Sequence, residues 1–194
     1  MAVPRDGDGT FPLSLIPPFL SDSRATTGII ETMVSGQDSA SLRKAIETTT
    51  RGFIAAYKDG AEEDNPAIIN RNVADGCTRH LLPASLLKAL GAPPDFVIDN
   101  AEYERLFAQD LEVGGVQRSD ISNLTIDVEA RKAAATTVTD MVCKDGETII
   151  MEHSWFLSFN EDGSKVAKVV EFCDAESVHR LMAKSKTKAD EQSS

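Results

Sequence analysis

Residues 148–174, TIIMEHSWFLSFNEDGSKVAKVVEFCD, constrain this chain more than any other stretch. Asn160, Glu161, Asp162 and Gly163 have the composition of a tight turn, because Asn, Asp and Gly tolerate positive φ. The flanks are β-branched, aromatic and alternating, so the stretch is expected to form two strands of one hairpin. Period two puts His153, Trp155, Leu157 and Phe159 on one face of the first strand. It puts Ala167, Val169, Glu171 and Cys173 on one face of the second, with Val166, Lys168, Val170 and Phe172 opposite. Each strand therefore carries an ionisable group among apolar neighbours. That pattern marks either a solvent-facing surface or the lining of a pocket.

The rest of the chain follows in order. Three prolines at 12, 17 and 18 bar a long helix near the N-terminus, and residues 1–36 are expected to be an extension whose apolar patch, residues 11–20, docks on the body or a second subunit. Asp38 or Ser39 can cap a helix carrying a stripe of Leu42, Ala45, Ile46, Phe53 and Tyr57, with Gly60 as its stop. Pro66 suits a second, short helix, and a strand follows around 77–82, bounded by Pro83. Asn100 can cap a helix with Tyr103, Leu106, Phe107 and Leu111 on one side, ended by Gly114 and Gly115. From Arg118 on the chain reads as strands, then a short closing helix and a polar, disordered tail at 187–194. The domain is bounded at 37–186. This order predicts an α+β fold in which helices cover one side of a bent, mostly antiparallel sheet and enclose a pocket.

With 194 residues and 41% hydrophobic content, the chain can bury one sizeable core. A net charge of −11 argues against nucleic acid and anionic membrane surfaces as partners. Cys77, Cys143 and Cys173 show no metal spacing, which predicts free thiols, no metal site and a cytoplasmic location.

Several strings in this order resemble the NTF2-like superfamily, and within it the fungal SnoaL-like proteins. They are LRKAIETTTRGFIAAY, DGCTRHLLPASL, NAEYERLF, IDVEARKAA and WFLSFNEDGSKVAKVVEFCD. The resemblance implies an NTF2-like cone, a curved sheet with helices on its concave side. It also implies no cofactor, a homodimer and a hydrophobic small-molecule substrate. The function implied is that of a cofactor-independent isomerase or cyclase for a polyketide- or terpenoid-derived ketone or lactone, with dehydration possible. A non-catalytic ligand-binding or dimerisation module is the alternative. Laying the hairpin on the ketosteroid isomerase pattern turns His153, Trp155, Phe159, Glu171 and Cys173 inward. Near Leu81, where that enzyme has its base, this chain has no acid, so the steroid reaction is not implied.

Glu171 is the leading catalytic candidate, since a carboxylate stripped of water in an apolar pocket can act as a general base. On the outer face it would merely pair with a lysine. His153 could return the proton, or be a core histidine bonded to backbone. Arg79 could hold an enolate or clamp Glu171. Tyr103 could donate to an oxyanion, while Trp155, Phe159, Leu81 and Cys173 are expected to shape the substrate pocket.

Overall fold

α1, Arg24–Glu62, lays Ile46, Phe53 and Ile54 on the sheet, and these side chains form one core with Trp155, Leu157, Phe159, Val166 and Val169. The computed structural model describes the backbone of residues 24–192 and the side chains of residues 38–185. The chain divides into two units, Met1–Gly36 and Gln37–Ser194. The sheet, the helical segments packed on it and the cavity belong to the second, and α1 crosses the boundary between the two. The apolar patch at residues 11–20 lies outside the described residues.

A short 3-10 turn, Pro66–Asn70, leads into β1, Val73–Leu82. Then come α2, Ala84–Ala89, and α3, Asn100–Val113, followed by β2, Gly114–Asp127. β3, Lys132–Cys143, β4, Thr148–Phe159, and β5, Val166–Cys173, complete the sheet, and α4, Ala175–Gln192, closes the chain. The strand order is β1-β5-β4-β3-β2, antiparallel except for the parallel β1–β5 pair. The fold is α+β, with the helices on one face. Among the described residues, no helix is long and apolar enough to cross a membrane.

Four details differ from the sequence expectation. α1 begins at Arg24, ahead of the expected cap, and passes through Gly60 to Glu62. Gly60 is a close-approach residue instead of a stop, because a Cβ there would lie 2.7 Å from the Phe107 ring of α3. α4 runs on to Gln192, into the segment expected to be a disordered tail. A register shift between Ser158 and Phe159 puts Val166 on the buried face with Val169, Glu171 and Cys173, while Ala167 is only half-buried. A bulge adds one residue and so reverses the alternation beyond it.

Candidate active site

His153 and Trp155 on β4 stand opposite Cys173 and Glu171 on β5, so two adjacent strands project all four side chains from one face. A cavity of about 630 Å³ opens above them, within the size range of small-molecule sites. Its wall is mostly aliphatic and thioether: Leu86, Leu106, Met141, Met151, Leu181 and Met182. The sheet supplies Glu171, His153, Trp155 and Cys173, β1 supplies Leu81, and the helices supply Tyr57, Tyr103 and Asp110.

His153 Nε2 lies 3.5 Å from Glu171 Oε1, and both side chains are about nine-tenths buried. The separation is ion-pair distance but longer than a formed hydrogen bond. A ligand proton can therefore engage either group without first breaking a tight contact. Trp155 fixes the imidazole plane by stacking on it, with ring centroids 5.2 Å apart. The indole N–H itself is committed, donating to Thr137 Oγ1 at 2.9 Å. His153 Nδ1 is buried and finds no partner among the described residues.

The helices contribute a second polar group. Tyr57 and Tyr103 bring their hydroxyls to 2.6 Å, and both line the cavity. Burial first, and then the Glu171 charge, push both phenols well above their ordinary range, so they remain neutral donors.

No family model matches the chain, and no curated protein matches it in sequence. Solved structures do. BvnE pinacolase from Penicillium brevicompactum aligns at 16% identity and a TM-score of 0.59, covering 75% of this chain and 94% of that one. PrhC from Penicillium brasilianum aligns at 17% and 0.59, covering 77% and 93%. AusH from Aspergillus nidulans aligns at 21% and 0.55, covering 68% and 85%. The fold is NTF2-like.

The NTF2-like cone gathers six of the eight residues singled out from the sequence. Glu171, His153, Trp155, Tyr103, Leu81 and Cys173 line the cavity. Arg79 and Phe159 do not. Phe159 belongs to the core under α1. Arg79 is 1% exposed, and its Nη2 donates to the Ile69 carbonyl and to Asn70 Oδ1; neither acceptor is a substrate or Glu171. Cys173 has its thiol pushed up, chiefly by burial and then by Glu171, so it is a neutral wall group and no nucleophile. Ligand atoms of His153, Glu171 and Cys173 all lie within 4.8 Å of one another, a spacing that a divalent metal could also bridge.

Tyr57 and Asp110 are site residues that sequence reasoning missed. Asp110 lies three and seven residues beyond Phe107 and Tyr103, on the apolar face of α3. An acid on such a face was the available signal. Burial and the Glu171 charge raise its carboxyl from 3.8 to about 7. The folded chain thus binds a proton between those pH values that the unfolded chain has released. Stability is therefore expected to fall as pH rises from about 4 to about 7, by on the order of 2–4 kcal/mol. In Asp110→Asn the fall should disappear. Urea unfolding at several pH values tests this, and an unchanged slope in the variant contradicts it.

Proposed function

We propose that this chain is an isomerase or cyclase acting by acid–base chemistry, without a cofactor, on a hydrophobic polyketide- or terpenoid-derived ketone or lactone. The observation that carries the reading is the buried His153–Glu171 pair in the wall of a large, mostly apolar cavity. Glu171 takes a proton from a carbon beside a carbonyl or from a hydroxyl, and His153 returns one to the other end of the rearranging system. The Tyr57–Tyr103 hydroxyls receive the developing oxyanion. Trp155, Leu81 and the aliphatic wall hold the skeleton and exclude water. The likeness to a protein named as a pinacolase supports a rearrangement chemistry for this fold.

Incubation with a panel of cyclic ketones and lactones tests the reading by mass spectrometry. A new product of unchanged mass is expected, at a rate that EDTA does not alter. Loss of water would redirect the assignment to a dehydratase. Loss of all turnover in EDTA would favour the metal-bridged arrangement of His153, Glu171 and Cys173.

A homodimer formed through the outer sheet face is part of the proposal. Ile150, Phe156 and Phe172 are 56%, 51% and 47% exposed there, and the last two are diagonal neighbours on adjacent strands. Light scattering should report twice the chain mass, reduced to one in Phe156→Glu. A wild-type monomer removes this part of the proposal.

A further inference from the structure

Arg79 is the least explained charge in the fold. Its side chain is fully buried on β1, and only Nη2 has hydrogen-bond partners; Nε and Nη1 have none among the described residues. Neither acceptor is a carboxylate. A buried guanidinium with no carboxylate partner among the described residues is costly, and anchoring the Ile69–Asn70 turn occupies only one of its nitrogens. What faces the charge is aromatic: its carbon Cζ sits 3.9 Å from the centre of the Tyr103 ring and 5.4 Å from that of Phe53.

We propose that Arg79 is a positioning residue whose buried charge, held against the Tyr103 ring, readies the Tyr57–Tyr103 hydroxyl pair to receive negative charge from a ligand oxygen in the cavity. One hydroxyl of the pair donates to the other, whose own proton is free for the ligand. As that proton is drawn toward an oxyanion, negative charge spreads onto the phenols, and a cation behind the ring stabilises it in a medium that screens poorly. The electrostatics agree in sign. Arg79 pulls the Tyr57 and Tyr103 phenols down, against burial and Glu171, which push them up. Glu171 alone would make the site hostile to an oxyanion.

The inference rests on the oxyanion half of the proposed function and not on Glu171 as base, so its test reads binding without turnover. Substituted 2-naphthols of graded acidity serve as probes, their bound charge state read by absorbance. Wild type is expected to prefer the ionised forms. Arg79→Met should lower that preference by roughly tenfold, as expected for one unscreened charge nearby, and leave the neutral forms bound as before. Arg79→Lys, which keeps the charge, should recover part of it. Equal weakening of both forms in Arg79→Met would reveal a merely structural arginine and overturn the inference. Tyr103→Phe keeps the ring and removes the hydroxyl, and should lose the preference too. If Arg79→Met fails to fold, a wild-type preference in Tyr103→Phe overturns the inference by itself. Absence of any naphthol binding also overturns it.

Discussion

Glu171→Gln is expected to lower turnover by about 10²–10⁴-fold, the usual contribution of a positioned general base, while the protein stays folded. The substitution keeps the volume and the capacity to accept a hydrogen bond, and removes only the charge and the basicity. Core contacts at this position are with neighbours on β4 and β1, since Trp155 and Leu81 are its cross-strand partners. Neither depends on a carboxylate. His153→Ala should also impair turnover, because the returning proton then has to come from solvent. Steady-state rates beside thermal melts separate lost chemistry from lost fold. Wild-type rates in a folded Glu171→Gln protein would eliminate the base assignment.

Gly114→Ala is the substitution expected to cost the most stability, about 3 kcal/mol or more given the overpacking. The reason is proximity, not backbone freedom, since Gly114 is extended at φ 179°. A Cβ there would lie 2.4 Å from the Val142 carbonyl oxygen and 2.7 Å from the Cys143 Cα. Both are backbone atoms of β3, held in register with Gly114 by the β2–β3 ladder. They cannot rotate away as a side chain would. The strain falls where α3 turns into β2, at a residue that lines the cavity together with Val113 and Gly115, so ligand affinity should drop along with the melting temperature. Gly76→Ala is the control: nothing lies within 4 Å of a Cβ at Gly76. Equal melting temperatures for the two variants would contradict this account.

Much of the architecture was legible because sheet alternation is a local property. His153, Trp155, Leu157 and Phe159 share a buried face as period two requires. Period failed at Val166, where a bulge inserted one residue, and no residue type announces a bulge of this kind. Glycine was ambiguous for a different reason. Gly60 has the composition of a helix stop, yet it is there to admit the Phe107 ring, a contact between residues 47 positions apart that local sequence cannot encode. The site divided along the same line. Glu171 and His153 could be paired from adjacent strands, whereas the Tyr57–Tyr103 contact joins two helices whose rotation depends on packing. Arg79 was expected to hold an enolate or clamp Glu171, but its side chain on β1 lies behind the Tyr103 ring and outside the cavity lining.

Proton exchange in D2O tests the central claim most directly. Wild type and Glu171→Gln would each be incubated with a panel of hydrophobic cyclic ketones, with EDTA present, and followed by NMR at the carbon beside the carbonyl. The account predicts enzyme-dependent deuterium incorporation into at least one ketone by wild type, and none above background by the variant. Equal incorporation by both proteins, or none by either, would contradict it.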